Sequence, residues 1–179
     1  LLDGVSSSWM GPSVLFIFDY ERDLCRARLV SKVWTDAGGE AIGCWEQPVW
    51  KAAQIQRKQL HRLIDEAVSR AAASVVLITQ HTAEQKYVQY AVQQTHQQGK
   101  RLLAVYVHRI PDEQGQSAPI GHTRFGEIGL DAQGQSLFFW QLYPAYRWVI
   151  DDGPTNFGQW VARAVKGSGP ARGAFQSPE

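Results

Sequence analysis

Two runs of β-branched, aliphatic and aromatic residues constrain this chain more than any other feature. Ser13 to Tyr20 reads Ser-Val-Leu-Phe-Ile-Phe-Asp-Tyr and Ser74 to Thr79 reads Ser-Val-Val-Leu-Ile-Thr, both without polar–apolar alternation. A strand with one wet face alternates. One that does not is apolar on both sides, which suits the interior of a parallel sheet covered by helices on each face. Around these runs the period is helical. Leu24, Ala27, Val30 and Trp34 recur on one side, as do Ile55, Leu60, Leu63, Ile64, Val68 and Ala71. Thr82 to Gln98 forms a third helix, with Thr82 as N-cap, Gly99 as stop and Tyr87, Ala91 and Thr95 on one face. Leu102 to Ile110 is a further strand, and Asn156 to Val165 closes the order as a helix. Such alternation specifies an α/β fold with a central parallel sheet and helices on both faces.

The remaining segments set the boundaries. Gly38-Gly39 stops the first helix, and Glu40 to Trp50, carrying Gly43, Pro48 and two tryptophans, reads as a short strand and a loop. Pro111 to Gln135 is a long surface connection; Ser136 to Trp140 is a last strand or part of an insertion. Residues 13–166 form one domain, as 179 residues allow. Residues 1–12 read as an N-terminal extension, a cloning remnant or the end of an upstream segment, because the only methionine is Met10. Residues 167–179 read as a disordered tail.

Composition excludes more than it selects. Eighteen basic against seventeen acidic residues leave a charge of +1, without the basic bias of a nucleic-acid binder. The longest apolar runs, Val14 to Phe18 and Val75 to Ile78, fall far short of the ~20 residues of a membrane span. With only Cys25 and Cys44, no disulfide framework is expected, and the expected setting is cytoplasmic. The histidines at 61, 81, 96, 108 and 122 lack zinc spacing, so no metal site is expected. No dinucleotide-binding glycine fingerprint or Walker loop follows a strand. Asp19, Glu21 and Asp23 after the first strand would repel a flavin phosphate, and no aspartate ends the Ser74–Thr79 strand as a phospho-receiver requires. Asp23 and Arg26 are spaced to pair across a helical turn as a structural contact. Asp151-Asp152-Gly153 reads as a turn before the last helix.

In a doubly wound sheet the ligand crevice lies beyond the carboxyl ends of the strands, where strand order reverses. Phe18, Asp19 and Tyr20, the Gly43–Trp50 loop and the start of the third helix gather there. Aromatic walls with few charges suit a flat heterocycle such as a nucleotide base.

Phe18-Asp19-Tyr20-Glu21-Arg22-Asp23, Arg26-Ala27, Trp34, Gly43-Cys44-Trp45 and Trp50 together resemble the ThsB-like TIR proteins of bacterial Thoeris antiphage defence. Val75 to Ile78, Thr82, Tyr87-Val88-Gln89-Tyr90 and Trp148 to Gly153 with Asn156, Gly158 and Trp160 extend the resemblance over Val14 to Val165. It implies a flavodoxin-like TIR fold and an enzyme that cleaves the nicotinamide–ribose bond of NAD+. The implied product is a cyclic ADP-ribose or an ADP-ribose conjugate acting as second messenger. It further implies homo-oligomerisation on activation, a phage-derived trigger, and a downstream effector reached through the product. Phe18, Asp19, Tyr20, Trp45, Thr82 and Tyr87 would bind substrate. Two departures stand out. The family usually carries His where this chain has Asp19 and Ser where it has Ile17, changes that bear on substrate pose and product. Members also read aromatic-Val-x-Tyr-Glu-Ile with a catalytic glutamate, whereas this chain reads Tyr87-Val88-Gln89-Tyr90-Ala91-Val92. Ala91 thus stands at the catalytic position, as a Glu-to-Ala form of an enzyme or as a natural non-catalytic TIR sensor or scaffold. Glu84, two turns earlier on the same face, is not expected to replace it. A nucleoside-binding, deoxyribosyltransferase-like protein is the remaining alternative.

Overall fold

The computed structural model describes residues 11–167, so the expected N-terminal extension up to residue 10 and the tail from 168 lie outside the described residues. The elements run β1 (Ser13–Ile17), α1 (Tyr20–Asp36), β2 (Glu40–Ile42), α2 (Gln47–Ile55), α3 (Arg57–Arg70) and β3 (Ala73–Ile78). A 3-10 turn (Thr82–Glu84), α4 (Lys86–Gln97) and β4 (Arg101–Tyr106) follow. The chain ends with β5 (Glu127–Leu130), β6 (Ser136–Phe138), α5 (Phe139–Leu142), β7 (Ala145–Arg147) and α6 (Gly153–Val165). Five strands in the order β2-β1-β3-β4-β7 make one parallel sheet. β5 and β6 pair apart as an antiparallel hairpin.

The unalternating runs behave as doubly covered strands. Every residue of β3 is buried, as is β1 from Val14 onward. Successive side chains leave a strand on opposite faces, so Phe16, Val75, Leu77, Leu103 and Val105 pack under α1 and α6 in one core. Leu15, Ile17, Val76, Ile78, Leu102 and Ala104 pack under α3, α4 and the hairpin in the other. Among the described residues no helix is long and apolar enough to cross a membrane.

Four local expectations need correction. The loop expected around Pro48 is α2, which begins with proline in its first turn, a position that needs no backbone donor. Gln56, in extended conformation, separates α2 from α3 and resets the helical phase, so Ile55 is 83% exposed instead of continuing the α3 stripe. Thr82 does not cap α4: it opens the 3-10 turn, and Gln85 is the residue before the helix. The span from Pro111 onward is more than a connection. It builds the β5–β6 hairpin, and the last strand of the main sheet is β7 rather than Ser136–Trp140.

The residue that caps the end of α5 meets α4 where His96 Nδ1 and the Tyr143 hydroxyl lie 2.7 Å apart. Burial lowers the His96 pKa below its ordinary value, so the unfolded chain takes up this proton first. That contribution to stability is complete above about pH 6.5 and is lost as pH falls through the lowered folded value. Thermal unfolding midpoints are expected to drop between pH 7 and 5.5, and to drop less in His96→Gln. Equal pH slopes for the two proteins would refute this.

Candidate active site

At the carboxyl ends of β1 and β2, beside the first turns of α4, lies a pocket. Its position follows from topology. The chain reverses direction across the sheet at β1, since β2 and β3 flank it on opposite sides, and the helices that follow diverge to leave a crevice. Phe18, Tyr20, Trp45, Trp50 and Tyr87 form aromatic walls, and Leu15 to Ile17, Gly43, Ile64 and Ala91 complete the lining. The rings are ordered among themselves. Phe18 stacks on Tyr20 at 5.4 Å, Tyr20 on Trp50 at 4.5 Å and Trp50 on Trp45 at 5.7 Å, while Tyr87 meets Trp50 edge-on at 4.9 Å.

Gly43 lets the loop after β2 fold closely under β1. Its φ is +100°, and a Cβ there would stand 2.5 Å from the Phe16 carbonyl oxygen. Strain and overlap together are expected to cost Gly43→Ala about 3 kcal/mol. A denaturant midpoint equal to the parent's would contradict this.

Hydrogen bonds fix the walls. The Tyr87 hydroxyl accepts from the Tyr20 backbone N–H at 2.8 Å, satisfying a donor that the start of α1 leaves without a helical partner. Burial pushes Tyr87 above the usual tyrosine range, so the hydroxyl stays protonated at neutral pH. The Tyr20 hydroxyl donates to the Trp45 carbonyl. Asp19 and Thr82 do not line the pocket. Asp19 is buried, caps α1 by accepting from the Arg22 N–H at 3.3 Å, pairs with the Arg22 guanidinium at 2.9 Å and accepts from the Gln85 amide at 3.3 Å. Thr82 Oγ1 accepts from the Thr79 backbone N–H at 2.9 Å. Both hold together the elements that carry the walls.

A buried ionic network runs behind them. Thr79 Oγ1 donates to Asp23, which also receives Arg26 Nη1 at 2.8 Å. Arg26 then donates to the Ile110 carbonyl at 2.8 Å and the Gln116 carbonyl at 2.9 Å. Burial raises the Asp23 pKa despite the hydrogen bonds from Thr79 and Arg26. The pair expected within one helical turn is therefore present, and its cation also straps the segment after β4 to α1.

Ala91 stands in the pocket wall, 3% exposed, with its carbonyl accepting from Thr95 Oγ1 at 2.7 Å. No acidic side chain lines the pocket. Glu84, on the separate 3-10 turn and paired with His81 at 3.1 Å, is not on the α4 face that bears Ala91. Phe18, Tyr20, Trp45, Tyr87 and Ala91 are thus brought together, and Trp50, Ile64 and Gly43 join them. The sequence places the Gly43–Trp50 segment at this crevice but reads it as loop, so it does not single out Trp50 as a wall. Glu46-Gln47-Pro48, an opening suited to proline in a first turn, was the available signal. Among the described residues no group of His, Cys, Asp and Glu is placed to hold a metal ion.

Comparison with known proteins adds a family. The model described as "Thoeris protein ThsB, TIR-like domain" matches residues 16–112. A relative from Bacillus cereus (strain MSX-D12), provisionally named cyclic ADP-D-ribose synthase ThsB1, is 22% identical over 191 residues, covering 85% of this chain and all of that relative.

Proposed function

This chain belongs to the family of Thoeris ThsB TIR-like domains, and from that membership we propose that its aromatic pocket receives NAD+ as substrate and that position 91 is the site of the catalytic carboxylate. The observation that carries the reading is the meeting of five aromatic walls and Ala91 in one pocket at the end of β1. Flat rings give a nicotinamide or adenine ring broad apolar contact at little entropic cost. Cleavage breaks the bond between the nicotinamide nitrogen and the ribose, with the electron pair leaving on nicotinamide. Positive charge then develops on the ribose. A carboxylate in the wall stabilises that charge, as in glycoside cleavage, and a methyl group does not. The ribosyl centre is captured by a nucleophile to give a cyclic ADP-ribose isomer or an ADP-ribose conjugate, and the B. cereus relative's provisional name supports the cyclic product. Phe18, Tyr20, Trp45 and Tyr87 contact substrate in this reading, while Asp19 and Thr82 position them. The setting is the cytoplasm, with assembly of copies and a phage-derived trigger upstream and an effector downstream of the product.

The lack of an acidic lining residue also supports a second reading, a TIR module that senses or scaffolds without turnover. NAD+ consumption with product masses, for this chain and for Ala91→Glu, separates the two. An ADP-ribose-derived mass from the glutamate form alone supports the enzyme. No turnover by the assembled glutamate form overturns it in favour of the module.

A further inference from the structure

Among the described residues, one buried side-chain polar atom in the pocket's walls is left without a partner. Trp50 is 2% exposed and its indole Nε1 is buried without a hydrogen-bond partner among the described residues. The two wall hydroxyls are engaged: that of Tyr20 donates to the Trp45 carbonyl, and that of Tyr87 accepts from the Tyr20 N–H. A buried donor left unmade is costly, and native structures seldom keep one without a use. The ring itself is well held, stacked on Tyr20 and Trp45 and met edge-on by Tyr87. Packing therefore accounts for the rings of Trp50 but not for its nitrogen.

Resting on the reading of this pocket as a nucleotide site, we propose that the Trp50 indole N–H is a specificity-determining donor to an in-plane acceptor on the planar heterocycle bound there. Indole donates and does not accept, so the wall selects a ring that presents an oxygen or a bare nitrogen at that edge. The nicotinamide carbonyl and the adenine ring nitrogens both offer this chemistry. A ring with only carbon or N–H at that edge would bury a second unsatisfied group and bind less well.

The test is calorimetric titration of the chain and of Trp50→Phe with NAD+, nicotinamide mononucleotide and AMP, alongside thermal unfolding without ligand. Phenylalanine keeps an aromatic ring and deletes the donor. The expected result is about tenfold weaker NAD+ binding, together with some fall in the unfolding midpoint because phenyl leaves part of the buried, stacked indole's volume empty. The mononucleotide that loses the same factor carries the acceptor. Unchanged NAD+ affinity would overturn the proposal. Because Trp50→Phe also lowers the midpoint, replacing Trp50 by benzothienylalanine, which exchanges only the N–H for sulfur, decides: equal affinity overturns the proposal and a tenfold loss upholds it. Failure of the unmodified chain to bind any of the three ligands overturns the nucleotide reading itself, and this inference with it.

Discussion

Ala91→Glu is expected to raise the rate of nicotinamide release from NAD+ by at least about a hundredfold over the parent chain, the scale at which one preorganised electrostatic group acts on a charged transition state. The position has the needed environment. Ala91 is nearly inaccessible and shares its pocket with six aromatic residues, a setting where little water screens a charge. The same setting disfavours the ionised acid, so the glutamate pKa should lie above its ordinary value. Activity of the variant should accordingly climb with pH through that raised value and then level off. Burying the new carboxyl should also cost about 1–3 kcal/mol of stability. Ala91→Gln matches the glutamate in size and polarity without its charge, and should remain at the parent rate. Glutamate and glutamine forms releasing nicotinamide equally under assembling conditions would end the proposed role of position 91.

Arg26→Ala is expected to destabilise the fold by about 3–5 kcal/mol, the usual penalty for removing one member of a buried ion pair. Arg26 and Asp23 are 4% and 1% exposed and 2.8 Å apart. Without the guanidinium, Asp23 keeps the Thr79 hydroxyl but loses its cation and still faces the Asp19 charge. The Ile110 and Gln116 carbonyls lose their donor as well. Lysine should recover little, because one ammonium cannot reproduce a fork that reaches a carboxylate and two carbonyls. The pH dependence has a definite sign. Burial already holds the folded Asp23 pKa above its unfolded value, and removing the cation raises it further, so the folded variant retains this proton where the unfolded chain has lost it. The variant's deficit should therefore shrink as pH falls toward the ordinary aspartate range. Denaturant unfolding at pH 7 and pH 5 reads both effects; a loss below about 1 kcal/mol at pH 7 would show that the network carries no weight.

How far the residues themselves announced this molecule depends on how each element gains its stability. β1 and β3 were legible because a strand buried on both faces has to be apolar throughout, and Val14 to Ile17 and Ala73 to Ile78 are buried in full. β7 was not. Its three residues Ala145, Tyr146 and Arg147 are each only half-buried, and they pair with β4 through backbone bonds that any residue type can make. The break at Gln56 was equally hidden, since a run of helix formers leaves no mark where the helical phase resets. At the site, the strand ends placed Phe18 and Tyr20 beside the crevice, and the α4 periodicity put Tyr87 and Ala91 on one face, while their proposed roles rest on the family resemblance. Trp50 required recognising α2. Asp19 and Thr82 were placed in the right neighbourhood, but which side chains face a cavity and which face the backbone behind it depends on hydrogen bonds that spacing alone does not encode.

α2 buries only Trp50 and Ala53, so one wall of the pocket rides on an element that contributes little to the two cores. Whatever changes on its outer side leaves the sheet and its covering helices almost untouched. Lineages sharing this scaffold are therefore free to explore new ligands through α2 while the rest of the domain stays folded, and the diversification of recognition in such proteins should be sought in this helix before the strands.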